Sequence, residues 1–341
     1  MERIEVSRNL RRWEGLLLGC LLVVLIYNIT QVSNFLTVQN QVNLFQLSIE
    51  KAIVALIMTF VIISGEIDLS VASMMGLSAA IIATLHDSGW NMALAIVIAL
   101  LVGLALGTMN GVFVAKVGIN SLAVTLAGYI GFRGLALALI EDKSLGDFPH
   151  WFERLGQGGV IGPITFSILV FFAMAAIATV VLHFSGFGRR VYTIGSNARV
   201  AVFSGVPVAR TRIIIFAMSG LISSMAGILY AARLSAVRSS TAQGMELDII
   251  TIVLLGGVSI FGGIGSMVGV FLSILLVLNL RNGMTIGGIT GNTQTGVIGL
   301  LLILSVLIPN LVVRARGRVR RTPTDPHLQA PRAETTAHGA D

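Results

Sequence analysis

Residues 45–85 read FQLSIEKAIVALIMTFVIISGEIDLSVASMMGLSAAIIATL. Two apolar runs, residues 45–64 and 67–85, flank a short turn that carries Glu66 and Asp68. Each run has about the 20 residues that a helix needs to cross a hydrocarbon core about 30 Å thick. The stretch therefore predicts two membrane helices joined by a break, and the break places two carboxylates at membrane depth.

The whole chain has the same apolar character. Of its 341 residues, 55% are apolar and only 11% are charged, whereas about 25% are charged in an average soluble domain. We expect an all-α polytopic membrane protein with about ten transmembrane helices, some of them broken or re-entrant. The predicted runs lie near residues 13–32, 45–64, 67–85, 92–114, 121–140, 163–184, 213–232, 247–260, 267–280 and 295–312.

We divide the chain into a cytoplasmic N-terminus at residues 1–12, a transmembrane domain at 13–312 and a cytoplasmic tail at 313–341. The tail is basic at first and then rich in Pro, Thr and Ala. It cannot bury a core, so we expect it to be disordered. An external loop at 141–162 and a cytoplasmic loop at 185–212 interrupt the transmembrane domain.

The positive charges agree with ten spans and with both termini in the cytoplasm, because basic residues accumulate on the cytoplasmic side. The cations expected inside are Arg3, Arg8, Arg11, Arg12, Lys116, Arg189, Arg190, Arg199, Arg210, Arg212, Arg314, Arg316, Arg318, Arg320 and Arg321. Those expected outside are Lys51, Lys143, Arg154, Arg233, Arg238 and Arg281. This rule also explains the net charge of +7, so nucleic acid is not an expected partner.

Two short segments have a distinctive composition. In the external loop, Trp151 and Phe152 are expected either to anchor the chain at the membrane surface or to contact an outside partner. A glycine-rich turn at residues 261–266, FGGIGS, joins two short apolar runs. We therefore expect broken or re-entrant helices at this turn, as at the turn around Glu66.

The sequence lacks the motifs of several enzyme classes. No G-x-x-x-x-G-K-[ST] phosphate loop occurs, so the chain is not expected to hydrolyse ATP by itself. It also lacks H-E-x-x-H, a Cys/His cluster and G-x-S-x-G. We expect a transport subunit rather than an enzyme, with no metal or other cofactor bound by this chain.

The candidates for a translocation path are polar residues at membrane depth, where a charge is costly and marks a functional site by default. They are Glu66, Asp68, Ser70, Asn110 and Asn282. In an extended turn, Glu66 and Asp68 would point the same way. A structural alternative stays open, since Asp68 is also placed to cap the next helix. Asn110 and Asn282 lie near the ends of predicted spans, where packing or capping is common.

Other residues in the spans have an expected structural role. Arg133 lies in the middle of a span and needs a partner, such as a carboxylate or a helix C-terminus. Gly103, Gly107 and Gly111 recur four residues apart, a spacing that lets two helices approach closely.

Three motifs in order resemble the permease subunits of bacterial ABC sugar importers of the ribose, xylose, rhamnose and autoinducer-2 group. They are VIISGEIDLSVASMMGLSA at 61–79, GRRVYTIGSNARVAVFSGVPVART at 188–211 with AMSGLISSMAGILYAARL at 217–234, and LDIITIVLLGGVSIFGGIGSMVG at 247–269. The resemblance covers about residues 10–312. It implies a permease of the bacterial inner membrane with three kinds of partner: a second permease, two copies of an ATPase subunit on the inside that holds the ATP and Mg, and a periplasmic or lipid-anchored sugar-binding protein on the outside.

The chain departs from the family pattern at two places. The family usually has Gly-Gly-Ile-Asp-Leu-Ser where this chain has GEIDLS at residues 65–70, and it tends to have an acidic residue within 197–199, where this chain reads NAR. Docking to the ATPase would then differ in its electrostatics. Together with DFPHWF at 147–152 and QGMELD at 243–248, the Glu66 variant most resembles the rhamnose-type permeases.

The cytoplasmic loop predicts a short helix from Asn197 to Ser204, with Asn197 or Ser196 as N-cap and Gly205 as the C-terminal stop. The resemblance implies that this helix sits in a groove of the ATPase and is pushed when the ATPase dimer closes. That push would switch the bundle between inward and outward access. The expected coupling residues are Arg189, Arg190, Ser196, Asn197, Ala198, Arg199, Ser204 and Gly205.

Three alternatives stay open at this stage. The substrate is expected to be a rhamnose-type or pentose monosaccharide, and autoinducer-2 is the alternative within the family. A proton- or sodium-driven carrier would use Glu66 and Asp68 as its titrating pair, but it gives the cytoplasmic loop no role. A purely structural membrane scaffold leaves both motifs unexplained.

Overall fold

A computed structural model describes residues 2–32, 34–141, 143–291 and 293–301, together with 303, 304 and 307. Within these ranges the chain is mostly helical, with one small antiparallel pair of strands. The elements are α1 Glu2–Gln31, α2 Val38–Gln46, α3 Ile49–Ile63, α4 Val71–Asp87, α5 Met92–Val112, a π-helical turn Phe113–Val117, α6 Ser121–Ile140, α7 His150–Gln157, β1 Gly159–Ile161, β2 Ile164–Thr165, α8 Phe166–Phe184, α9 Gly186–Ser196, α10 Ala198–Phe203, α11 Val208–Leu234, α12 Met245–Leu255 and α13 Met267–Ile286. The expected all-α architecture is confirmed.

In the described part of the chain, six helices are long and apolar enough to cross a membrane. They are Arg12–Gln31, Met92–Val117, Ser121–Ile140, Phe166–Phe184, Val208–Leu234 and Met267–Ile286. A seventh span results if α2 and α3, which meet at a bend of 50°, form one span. The predicted count of about ten is not confirmed. The end of the tenth predicted run, 308–312, and the whole tail, 313–341, lie outside the described residues.

Two further predicted runs, 67–85 and 247–260, form short helices. Helix α4 has 17 residues and α12 has 11. At 1.5 Å per residue their lengths are about 25 Å and 16 Å, less than the core thickness of about 30 Å. Helix α4 begins after the turn that carries Glu66, and α12 ends shortly before residues 261–266. The broken segments expected at the two turns are therefore present.

Helix α3 lies at the centre of the bundle. All 15 of its residues are buried, as expected for a helix that is apolar on every side. Helices α8, α11, α12 and α13 all contact it. Its first turn nevertheless carries Glu50 and Lys51, and buried charges need partners.

Ion pairs supply those partners at the end of the bundle where α3 begins. Glu50 Oε1 accepts a hydrogen bond from Arg233 Nε at 2.8 Å. Asp248 Oδ2 accepts from Lys51 Nζ and from Arg281 Nη2, each at 2.6 Å. Three cations expected outside are thus gathered at one end. Removing one partner would leave a buried charge uncompensated, so these pairs fix α3 against α11, α12 and α13.

The glycine stripe of α5 packs against α11, as its spacing predicts. A methyl group on Gly107 would lie 2.9 Å from Cα of Gly220, and one on Gly103 would overlap the side chain of Ser224. Only glycine permits this separation between the two backbones. Close packing of α5 on α11 is confirmed.

Phe152 does not anchor the chain at the membrane surface. Its side chain is completely buried in α7, where it packs edge to face against Phe148 with ring centroids 5.3 Å apart. Trp151, its neighbour, is half exposed. A methyl group on Gly156 would collide with the backbone of Arg233. Helix α7 therefore packs closely on the end of α11, and the prediction for Phe152 is wrong because the loop folds back onto the bundle.

Candidate translocation and coupling site

A left-handed glycine ends α3 and creates the turn that carries both carboxylates. Gly65 has φ +82°, a conformation that side chains rarely adopt. Its N–H donates to the carbonyl of Ile62 at 2.9 Å, and the N–H of Glu66 donates to that of Val61 at 3.2 Å. These two bonds form a Schellman motif, which satisfies carbonyls at the helix end. The GEIDLS sequence thus stops α3 locally and lets α4 restart at Val71.

Asp68 is the centre of a buried hydrogen-bond network. Its side chain is 3% exposed. Oδ1 accepts from the backbone N–H of Ser70 at 2.9 Å and from its Oγ at 2.6 Å, while Oδ2 accepts from Ser219 Oγ of α11 at 2.7 Å. Asn110 Nδ2 of α5 donates to Ser70 Oγ at 3.2 Å. Three candidate path residues, Asp68, Ser70 and Asn110, are therefore brought together.

The proposed capping role of Asp68 has a structural basis. Its carboxylate bonds the N–H two residues ahead, which is the Asx-turn arrangement at the start of α4. Its second oxygen reaches another helix through Ser219, which a cap alone does not require. Capping and a path role thus both remain compatible with its contacts.

Glu66 is held by a cation. Its Oε1 lies 2.7 Å from Arg212 Nη2, and the two side chains are 10% and 23% exposed. Arg212 and Ser219 are seven residues apart on α11, so they share one face of that helix. Glu66 and Asp68 therefore both contact the same face of α11, in agreement with the prediction that they point the same way.

Asn282 lies elsewhere. It forms a reciprocal amide pair with Asn40, in which each Nδ2 donates to the other Oδ1 at 2.9 and 3.1 Å. This pair ties α13 to α2. The structure gives Asn282 no hydrogen bond to the Asp68 network among the described residues, so its place on the path stays a prediction.

Arg133 has a structural partner of a different kind from the one expected. Its Nη1 donates to the carbonyls of Ser239 and Thr241 at 3.1 and 2.8 Å. These carbonyls belong to the loop between α11 and α12, not to a carboxylate or a helix end. The pairing holds α6 against that loop.

The predicted short helix in the cytoplasmic loop is present. Asn197 caps α10 by accepting from the N–H of Val200 at 3.1 Å. Gly205, at φ +76°, stops it, and the N–H of Val206 donates to the carbonyl of Ala201 at 3.0 Å. Of the two predicted caps, Asn197 is confirmed. Ser196 ends the preceding helix α9, which Ser185 caps.

Helix α10 presents an apolar surface to solvent. Phe203 is 91% exposed, and Val200 and Val202 are also exposed, whereas Ala201 is buried. The predicted coupling residues Arg189, Arg190, Asn197, Arg199, Ser204 and Gly205 are exposed as well. Exposed apolar side chains next to cations are typical of a surface that binds another protein.

Tyr192 connects α9 to the second glycine turn. Its hydroxyl donates to the carbonyl of Gly265 at 2.8 Å. Burial raises the pKa of Tyr192 to about 12, so the hydroxyl keeps its proton and remains a donor. From the N-terminal side, Glu14 of α1 accepts from Ser266 Oγ of the same turn at 2.5 Å. The start of the first span therefore lies at the same end of the bundle as the 185–212 loop.

Metal-binding clusters are absent from the described residues, where no three His, Cys, Asp or Glu side chains are grouped to hold an ion. Asp68 is surrounded by hydroxyl and amide groups instead.

The pattern of a protein family described as "Branched-chain amino acid transport system / permease component" matches residues 40–306. This chain belongs to that permease family. The permease is 34% identical to the ribose import permease protein RbsC of Bacillus subtilis (strain 168), over 90% of this chain and 97% of the relative. RbsC of Escherichia coli K12 is also 34% identical, over 85% and 91%. The autoinducer 2 import system permease protein LsrD of E. coli SMS-3-5 is 35% identical, over 75% and 79%.

Among solved structures there is no match to this permease. Family membership and the apolar helices together establish a multi-pass membrane protein that acts as a transport component. The resemblance drawn from the three motifs is thereby confirmed at the level of the family.

Sequence reasoning missed two partners within the site. Ser219 was not among the candidates, and Arg212 was expected only as a cytoplasmic cation. Their spacing of seven residues places them on one face of α11, but it does not identify their partners.

Proposed function

We propose that this permease is the membrane subunit of an ATP-driven importer that carries a monosaccharide into the cytoplasm. The proposal depends on the exposed surface of α10, a short capped helix whose Phe203 side chain is almost completely exposed. The loop that contains α10 also contacts the turn that carries Glu66 and Asp68, through the Arg212–Glu66 ion pair. A partner that covers this surface would remove about 25 cal/mol of unfavourable hydration per Å² of apolar area. We assign this partner as an ATPase subunit, which holds the ATP and Mg.

The remaining assembly follows from the same proposal. A second permease, identical or paralogous, completes the membrane part, and a periplasmic or lipid-anchored binding protein delivers the sugar. The complex lies in the bacterial inner membrane among its lipids, with both termini of this chain in the cytoplasm.

The sugar class is supported by the relatives, whose names specify ribose and autoinducer-2 import. We propose a pentose or rhamnose-type sugar as substrate, with autoinducer-2 as the alternative. The rhamnose assignment depends on the Glu66 variant and on the segments at 147–152 and 243–248. Uptake of labelled ribose, rhamnose and autoinducer-2 by the assembled transporter would separate these substrates.

The coupling role can be tested by altering α10 in the complete complex. Deleting residues 197–204, or replacing Gly205 by Val, should reduce ATP-dependent uptake strongly while the protein still inserts. A β-branched residue is strained at φ +76°, so Gly205→Val distorts the end of α10. Gly118→Val is the matched control, because Gly118 has φ +80°, lies in open space and belongs to a different loop.

Three measurements are needed for each variant: membrane abundance, co-purification of the ATPase, and sugar uptake. Normal ATP-driven uptake by the loop deletion would refute the coupling role. Uptake that follows a proton or sodium gradient and ignores ATP would instead favour the ion-coupled carrier.

A further inference from the structure

Three segments that are far apart in sequence meet where α3 ends. A methyl group on Gly195, next to the last residue of α9, would overlap the carbonyl oxygen of Ile63 and lie 2.5 Å from the backbone nitrogen of Gly263. The N–H of Gly263 donates to that same carbonyl at 2.8 Å. The end of α9, the end of α3 and the 261–266 turn are thus in direct backbone contact.

The 261–266 turn also contacts the turn that carries Glu66 and Asp68. Gly262 has φ +81°, and a methyl group on it would lie 2.8 Å from Cα of Gly65. Backbones packed this closely cannot slide past each other without a collision, because no flexible side chain lies between them. Movement of one segment should therefore displace the others.

A second connection lies on the other side of α10. Arg212, near the start of α11, forms the ion pair with Glu66 at 2.7 Å. In the sequence, Gly195 precedes α10 and Arg212 follows it. Helix α10 is therefore attached to the Ile63–Glu66 segment at two points, one before it and one after it. Asp68 lies only two residues beyond Glu66.

We propose that Gly195 and the Glu66–Arg212 pair are positioning residues for transport, which pass the movement of α10 to the Asp68 turn. The inference rests on the proposed function, because it needs an ATPase that moves α10. The inference goes beyond that function because it identifies the residues through which movement of α10 reaches the transmembrane domain. Because α10 is attached at two points, its displacement should also displace the Asp68 turn. With a single flexible contact, α10 would be able to pivot without moving the turn.

The test uses the assembled transporter and measures sugar molecules imported per ATP hydrolysed. Gly195→Ala, Glu66→Gln and Arg212→Gln should each keep ATPase binding and ATP hydrolysis but lower this ratio. Substitutions along a coupling route change coupling by about 2- to 30-fold. Gly131→Ala and Arg210→Gln are matched controls. Gly131 has open space around it, and Arg210 is an exposed cation of the same helix.

A double-mutant cycle distinguishes the ion pair from two independent effects. Glu66→Gln with Arg212→Gln should lose no more coupling than the more severe single variant, because the double variant leaves no buried charge unpaired. Losses that simply multiply would overturn the role of the pair. A purely structural role would lower membrane abundance and thermal stability while leaving the sugar-to-ATP ratio unchanged.

The outcome also separates this inference from the proposed function. If wild-type uptake does not depend on ATP, the proposed function fails before any variant is compared. If wild-type uptake depends on ATP and both Gly195→Ala and Arg212→Gln keep the normal ratio, only the positioning role of Gly195 and the Glu66–Arg212 pair is refuted. Should Gly195→Ala fail to insert, Arg212→Gln and the cycle decide the question.

Discussion

Two substitutions of Asp68 can separate the effect of its charge from the effect of its hydrogen bonds. Asp68→Asn keeps an oxygen that can accept from Ser70, and its new amide group can donate to Ser219, since a hydroxyl both donates and accepts. Asp68→Ala removes all three contacts. The two substitutions therefore separate loss of charge from loss of the network.

The expected stabilities differ clearly. For Asp68→Ala, losing the contact at the start of α4 costs about 0.5–2 kcal/mol, and losing the charge-assisted bond to buried Ser219 costs about 1.5–3 kcal/mol. The free energy of unfolding should then fall by about 2–5 kcal/mol. For Asp68→Asn the bonds persist as neutral ones at roughly half the strength. This variant should fold and insert with a loss below about 2 kcal/mol.

If the charge serves transport, Asp68→Asn should be stable but at least about tenfold slower, which corresponds to about 1.4 kcal/mol in the limiting step. Sugar uptake is measured per unit of protein in the membrane, and thermal stability is measured in detergent. Asp87→Asn is the control, because Asp87 is exposed at the far end of the same helix. Full uptake by Asp68→Asn would refute the functional role of the charge and leave Asp68 as a structural residue.

Two further predictions concern residues outside this network. Truncation at Thr322 should leave uptake unchanged, because the segment after Arg321 has no apolar periodicity and cannot offset an ordering entropy of about 1–2 kcal/mol per residue; loss of uptake at normal membrane abundance would reveal a partner for the tail. Asn40→Ala should lower thermal stability at least as much as Asn282→Ala, since each breaks the same amide pair and Asn40 Nδ2 also donates to the carbonyl of Phe35 at 2.8 Å. A much larger loss of uptake for Asn282→Ala than for Asn40→Ala would support a place for Asn282 on the path.

The elements that the sequence predicted well are those with local signals. Helix α10 is specified by Asn197 at one end and Gly205 at the other, and both act within a few residues of chain. The break after α3 depends on Gly65 in the same way. The glycine spacing along α5 predicted a close helix contact, and the structure identifies α11 as the partner.

The number of spans was harder to predict, because hydropathy measures apolar length and does not detect where a helix stops. Helices α4 and α12 are largely apolar but too short to cross the membrane alone. Phe152 shows a related difficulty. The sequence of a loop does not show whether its aromatic residue faces lipid headgroups or packs back onto the bundle. Only the packing of α7 against α11 distinguishes these two arrangements.

The partners within the site depend on contacts between distant segments. Arg212 and Glu66 are 146 residues apart, and Ser219 and Asp68 are 151 apart. Neither pairing has a local signal in the sequence.

These pairings also give the two carboxylates different roles. The charge of Glu66 is matched by Arg212, so the pair is neutral as a unit and is suited to holding α11 against the turn. Asp68 has no cation within ion-pair distance among the described residues, and its donors are two serine hydroxyls and one backbone N–H. If Asp68 lies on the proposed path, a sugar hydroxyl would be able to donate to it as Ser219 does. A path must bind its substrate weakly enough to release it.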